Sequence, residues 1–389
     1  MINFEFQNTT KIYFGDNYYL KVADELKKYG NKVLLAYGGG SIKRIGLYDK
    51  VINIIKEAGL EVVELAGVEP NPRHTTVNRG ALLCKENNID VILAVGGGST
   101  IDCAKAIAAA TYYDGDAWDL VIGKAKVIKA LPIVTVLTLS ATGSEMDNGG
   151  VISNMDTNEK IGLHNDLLLP KASFLDPSNT VSVNKYQTAA GSADILSHMF
   201  DCTYFTFHPQ LEMTKKITES VIKTVIKYSK IAVNEPENIE ARENLMWASS
   251  WALNGFLFSG VKQRATCHAI EHELSAFYDI THGHGLAIIT PRWLSYILNE
   301  KTAPIIYEFG QNIFDINRNL DTLVGAKLSI EALSRYLFDD LKLASKLTDL
   351  GIDDKNFEKM AIKACKNDII HGFVDLNVQD VINIFKMCL

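Results

Sequence analysis

An α/β domain followed by an all-α domain is the fold class the sequence predicts: a Rossmann-like parallel-sheet half, then a helical half. Three observations carry it. Short, wholly apolar runs alternate with amphipathic helical patterns through the first 180 residues. Two of those runs stop at a triple glycine, at 38–40 and 96–98. After about residue 180 the strand-like runs nearly vanish and long helical patterns take over. Continuous apolar strands spaced by helices imply a parallel sheet covered on both faces.

Taken in order, residues 3–6 and 11–14 read as a starting hairpin or edge strand. Residues 33–37 are a buried-strand run, and Ile and Val recur at helical spacing over 45–58. Residues 61–65 form a third strand candidate, 78–87 a helix, 91–95 a pure apolar strand, 101–110 a helix and 133–139 a further strand. Helical patterns follow at 186–204, 211–232, 238–260, 264–278 and 285–298, with several more to the end. Asp176-Pro177-Ser178 marks the boundary, because a residue before proline is pushed out of helix. The expected division is residues 1–180, nucleotide-binding, and 181–389, helical, metal-binding and catalytic.

The chain has 389 residues, 47% hydrophobic and 22% charged, which excludes global disorder. With 39 basic against 46 acidic residues, a nucleic-acid partner is not expected. Six widely scattered cysteines without a CxxC pair point to a reducing compartment. No signal-peptide pattern and no apolar run of about 20 residues is seen, so the expected setting is cytoplasmic, away from membranes.

Each triple glycine follows a strand and precedes a helix, where an open α/β sheet binds phosphate. Bare glycines let the backbone approach an anion, and a helix N-terminus offers N–H groups and a positive dipole end. The second loop reads Gly-Gly-Gly-Ser-Thr-Ile-Asp, and Ser99 or Thr100 can cap the helix behind it. It matches neither GxGxxG nor a Walker loop. A third segment, 138–145, is rich in small hydroxyl residues and reads either as a turn or as a further wall of the same cleft.

The helical half holds a histidine–aspartate constellation. Asp194 and His198 are four apart, as are His268 and His272, so each pair shares a helix face. His282 and His284 follow at once, with Gly283 between them as a turn residue. Such clustering points to a metal, and three imidazoles with a carboxylate suit Fe(II) or Zn(II). His268 and His282 would lie about 21 Å apart in one straight helix, so they share an ion only if the chain reverses between them. The string His268-Ala-Ile-Glu271-His272 also matches the HxxEH zinc-peptidase pattern, with Glu271 as base, but that rival leaves both glycine loops unemployed.

Taken together, the strings at 37–43, 96–102, 141–146, 188–198 and 267–283 resemble the iron-containing (group III) alcohol dehydrogenases, of dehydroquinate-synthase-like fold, and among them the bacterial butanol dehydrogenases. The likeness runs almost end to end. It implies a metal set of Asp194, His198, His268 and His282, holding Fe²⁺ or alternatively Zn²⁺. It places His272 near the nicotinamide as a proton relay, gives His284 no role beyond a solvated loop, and puts Asp102 with His272 in the catalytic set. It implies that Gly97, Gly98, Ser99 and Thr100 hold the cofactor pyrophosphate, with Asp102, Thr138 and Thr142 on the nicotinamide and phosphate side.

The first loop, Gly38, Gly39, Gly40, Ser41 and Lys43, then lies near the adenosine ribose. NAD-specific relatives carry an aspartate at the position of Gly39. Its absence, with Ser41 and Lys43 as donors, leads us to expect NADP(H) before NAD(H). The resemblance implies reduction of short aldehydes such as butanal in a fermentative setting, and a homodimer. A polyol dehydrogenase of the same fold is the alternative, although Gly149-Gly150 suggests room at the pocket rather than extra polar contacts.

Overall fold

The computed structural model describes residues 3–206, 211–261, 265–366 and 368–389. The chain forms two compact units, one of residues 7–183 and 237–255, the other of residues 3–6, 184–206, 211–236, 256–261, 265–366 and 368–389. The first is built on a sheet and the second on helices.

The sheet unit contains β1 (Lys11–Phe14), β2 (Lys32–Tyr37), β3 (Glu61–Leu65), β4 (Val91–Gly96) and β5 (Ile133–Leu137), then the hairpin β6 (Gly149–Asn154) and β7 (Glu159–His164), and β8 (Ala172–Leu175). Six strands pair in parallel in the order β1-β8-β5-β4-β2-β3. β4 and β5 are buried at every residue. This is why they read as unbroken apolar runs: a parallel sheet covered on both faces has no wet side to demand alternation. One face packs Leu34, Ile92 and Ala94 beneath the helices, the other Val33, Leu35, Val91 and Leu93.

The covering helices are α1 (Val22–Leu26), α2 (Ser41–Arg44), α3 (Leu47–Glu57), α4 (His74–Asn87), α5 (Gly98–Ala110) and α6 (Ala117–Val121). Residues 11–14 are an edge strand beside β8, whereas 3–6 form no strand. β8 and the β6–β7 hairpin are additions to the expected element list. β8 has only four residues, ending next to Asp176-Pro177, so no run long enough to read as a strand exists there.

The helical unit contains α7 (Lys185–Met199), followed by a wider turn at Phe200–Tyr204, and α8 (Glu212–Asn234). The next helix, α9 (Ile239–Ala252), belongs to the sheet unit. The helical unit resumes with α10 (Thr266–Tyr278), α11 (His282–Tyr296), α12 (Ala303–Ile313), α13 (Thr322–Arg335), α14 (Phe357–Ala364) and α15 (Val378–Met387). The predicted start of the 264–278 helix, residue 264, lies outside the described residues. The units are therefore not two contiguous stretches of chain: residues 237–255 return to the sheet.

One tie explains that return. Glu145 sits in the turn after β5 and is 1% exposed. Its Oε1 accepts a 2.5 Å bond from Ser250 Oγ on α9, and its carbonyl accepts a 2.6 Å bond from Ser173 on β8. Burial pushes the Glu145 carboxyl up to about 7.

A carboxyl with a raised native pKa binds its proton more tightly folded than unfolded. The cost of ionising it is absent below the ordinary pKa of 4.5 and complete above about 7. Stability therefore falls as pH rises through that window. Glu145→Gln keeps the acceptor without the charge. Its melting temperature should match wild type near pH 4 and exceed it near pH 8, where the stability difference is on the order of 3 kcal/mol. Parallel melting curves across pH would contradict this account.

Candidate functional site

The chain reversal that the histidine spacing demands is present. α10 ends at Asp279, whose φ of 51° lies in the left-handed region, and α11 begins at His282. The rings of His268 and His282 consequently lie 5.4 Å apart, centroid to centroid. Gly283 serves this approach inside the first helical turn of α11. A Cβ there would lie 1.9 Å from the Ala190 carbonyl, so only glycine lets α11 seat against α7 beside Asp194.

Donor atoms of Asp194, His268 and His282 lie within 4.8 Å of one another. Asp194 Oδ1 is 3.7 Å from His282 Nε2 and 3.7 Å from His198 Nε2. His198 stacks on His268, with ring centres 4.8 Å apart. The four expected ligand residues are thus adjacent, and all belong to the helical unit.

Two further carboxylates orient the rings. Asp201 Oδ2 accepts from the His268 backbone N–H at 3.0 Å and pairs with His268 Nδ1 at 3.1 Å. Glu271 pairs with His282 Nδ1 through Oε2 and accepts a 2.5 Å bond from Ser275 Oγ at Oε1. A ring donating from Nδ1 to a carboxylate keeps its lone pair on Nε2. His268 Nε2 is buried with no hydrogen-bond partner. Burial opposes charge on that ring, but the Asp201 bond and the nearby Asp194 and Glu271 outweigh it and raise its pKa.

Three buried carboxylates converging on imidazoles need a compensating cation. An orphaned imidazole nitrogen beside them fits a divalent ion that accepts nitrogen and oxygen donors. Asp201 is absent from the sequence reading, though its spacing from Asp194 and His198, seven and three residues, places it one further turn along the same face. Glu271 has both oxygens engaged inside the protein, which removes it as a peptidase base. His272 is half-buried, its ring 5.4 Å from that of His282. His284 is corrected: it is buried in the first turn of α11, not in a solvated loop. Its Nε2 donates to the Ala344 carbonyl at 2.9 Å, and its Nδ1 lies 3.1 Å from Tyr186 Oη.

In the sheet unit, Gly38, Gly39 and Gly40 join β2 to α2, which carries Ser41 and Lys43. No atom lies within 4 Å of a Cβ built on Gly39. The Lys43 ammonium lies over the Tyr37 and Tyr48 rings, 5.1 and 4.5 Å from their centres. At the second loop Gly97 is the N-cap and α5 begins at Gly98. Ser99 and Thr100 therefore sit inside the first turn rather than capping it, and Ser99 Oγ bonds the Pro70 carbonyl.

A Cβ on Gly98 would lie 2.1 Å from Thr142 Oγ1, so the 138–145 segment presses directly on this turn. Thr138 N donates to the Gly96 carbonyl at 3.0 Å. Asp102 accepts from Ser144 Oγ at 2.6 Å and from the Val151 N–H at 2.9 Å. Burial lifts its pKa to about 6. Each Asp102 oxygen accepts one bond from this segment, so Asp102 ties α5 to the residues that follow β5. Lys105, unmarked in the sequence reading, is 0% exposed and donates to Ser144 Oγ, to Asp147 and to the Gly149 carbonyl. Gly149 and Gly150 are buried, and a Cβ on Gly150 would meet the Asp102 backbone at 3.1 Å, so this pair serves close packing rather than room for substrate.

Residues 9–177 match the family model of the iron-containing alcohol dehydrogenases, and residues 188–389 match the C-terminal model of the same family. NADH-dependent butanol dehydrogenase A of Clostridium acetobutylicum is 50% identical over 99% of each chain. An NADPH-dependent aldehyde reductase of Escherichia coli is 34% identical over 93% of each. The crystal structure of NADH-dependent butanol dehydrogenase A from Thermotoga maritima superposes with a TM-score of 0.93 at 38% identity, covering 99% of this chain and 98% of that one. Among the described residues no helix is long and apolar enough to cross a membrane. The chain belongs to the iron-containing alcohol dehydrogenase family and is an oxidoreductase of that family.

Proposed function

We propose that the protein reduces short linear aldehydes such as butanal to primary alcohols, and catalyses the reverse, in the cytoplasm and as a homodimer. A hydride moves between the nicotinamide and the carbonyl carbon, and a proton between the oxygen and solvent. The observation that carries this reading is the clustered set of Asp194, His268 and His282, with Asp201 and Glu271 fixing which ring nitrogens keep the lone pair that can bind. Asp194, His198, His268 and His282 would hold the metal, Fe²⁺ by family and otherwise Zn²⁺. When bound, the ion supplies Lewis acidity that stabilises alkoxide character at the substrate oxygen.

The residues of the chain do the rest. Asp201 and Glu271 keep His268 and His282 in one tautomer. His272, half-buried beside His282, carries the proton between the alcohol oxygen and solvent. The turn at Gly97, Gly98 and Ser99 offers backbone N–H groups to the pyrophosphate, Thr100 closes the turn by donating to the Gly97 carbonyl, and Thr138 and Thr142 line the same loop. Asp102 and Lys105 hold that loop in shape. At the first loop, Gly38, Gly39, Gly40 and Ser41 leave space at the ribose. The open space at Gly39 on which the NADP(H) expectation rests is kept, but its Lys43 donor lies over two rings and the butanol dehydrogenases named above are NADH-dependent. We take NAD(H) as the working cofactor.

A panel of 1-butanol, 1,3-propanediol and glycerol, each oxidised with NAD+ and with NADP+, tests the substrate class, since a 1,3-propanediol dehydrogenase of Klebsiella pneumoniae is 31% identical over 91% of this chain. 1-Butanol should give the highest kcat/KM; a preference for either polyol would move the protein to the alternative reading. Asp194→Asn and His282→Ala should each lose both metal and activity while still binding NADH. Metal content near wild type after anaerobic purification would defeat the ligand assignment. His272→Ala should keep its metal and lose about 10²-fold in kcat, with partial recovery in imidazole buffer. Loss of metal in this variant would make His272 a ligand instead.

A further inference from the structure

Glu64, at the carboxyl end of β3, accepts from two tyrosines at once. Tyr37 Oη donates to its Oε2 at 2.7 Å and Tyr48 Oη to its Oε1 at 2.8 Å. Tyr37 is the last residue of β2, and Leu35 of β2 is paired in register with Glu64. The cluster therefore stands where β2 and β3 end, next to the glycines at 38–40. In an open α/β sheet that is where ligands bind. The Lys43 ammonium lies over both of these rings.

The parts reinforce one another. A phenol donating to a carboxylate gains electron density, which deepens the negative face that attracts an ammonium. The carboxylate also attracts the lysine electrostatically. A 2′-phosphate approaching the first loop would meet a lysine that is already committed and a neighbouring anion. A ribose diol would meet neither obstacle.

We propose that Glu64, acting through Tyr37 and Tyr48, holds Lys43 in a cation–π cage and thereby makes the chain favour NADH over NADPH. Glu64 is a positioning residue here, and Lys43 is the group it restrains. The inference rests on the reading that the first glycine loop receives the adenosine ribose. Tyr48 is coupled to the same carboxylate, which pushes its phenol up to about 12.

The test is direct binding of NADH and NADPH by nicotinamide fluorescence, at fixed ionic strength. Wild type should bind NADH more tightly. Glu64→Gln should lower the ratio of the NADPH Kd to the NADH Kd by about five- to tenfold, a modest figure because exposed charges are screened. Adding Lys43→Met to Glu64→Gln should remove most of that gain, since the freed ammonium is what meets the phosphate and only the lost carboxylate repulsion remains. An unchanged ratio in Glu64→Gln, or a gain undiminished by Lys43→Met, would overturn the inference. Gly39→Asp separates this failure from failure of the underlying reading. If Gly39→Asp weakens NADPH binding while Glu64→Gln does nothing, only the cage is wrong. If neither variant moves NADPH binding, the ribose does not lie at this loop.

Discussion

The helical unit's site depends on carboxylates taking the far nitrogen of each imidazole. Asp201 on His268 and Glu271 on His282 decide the tautomers, and with them the direction in which lone pairs face. Neither carboxylate could be buried alone. Each is stable there because it accepts two bonds, Asp201 from a backbone N–H and a ring, Glu271 from a hydroxyl and a ring. The helix geometry follows from this requirement. α10 must end in a left-handed residue, and α11 must begin with a glycine in its first turn, or the paired rings would not meet.

The sheet unit solves a similar problem with the opposite charge. Lys105 is wholly enclosed, yet its ammonium reaches a hydroxyl, a carboxylate and two carbonyl oxygens. It binds α5 to the segment 144–149, while Asp102, one turn earlier, binds the same helix to Ser144 and Val151. The second glycine loop is held from behind by this network. Its front is left as backbone, because Gly98 cannot carry a side chain against Thr142. A rigid turn with bare N–H groups is the arrangement that anion binding calls for.

The two glycine loops, alike in sequence, differ in what surrounds them. The second is clamped by buried polar groups. The first has open space at Gly39, and the Lys43 ammonium beyond it lies over two aromatic rings. Specificity between similar cofactors is a difference of affinities, and a restrained cation changes that difference without touching the bound molecule.

The sequence by itself determined the periodic and the local features. β2, β4 and β5 were legible because burial on both faces forces unbroken apolar runs. The Asp194/His198 and His268/His272 pairs were legible because four residues make one helical turn. The requirement for a reversal before His282 followed from helix rise alone. What it left undecided has a common cause: contacts between residues far apart in the chain have no periodic signature. Glu271 fitted a hydrolytic base only in a rival pattern, and its partner His282 lies eleven residues away. His284 looked exposed until Tyr186 and Ala344 enclosed it, and Lys43 looked like a phosphate donor until Tyr48 and Tyr37 lay beneath it. Residues 237–255 looked like one more helix of the second half, yet Ser250 joins them to Glu145 in the sheet unit. Each outcome was settled by a desolvated or shared polar group finding its partner in space, which only the tertiary structure decides.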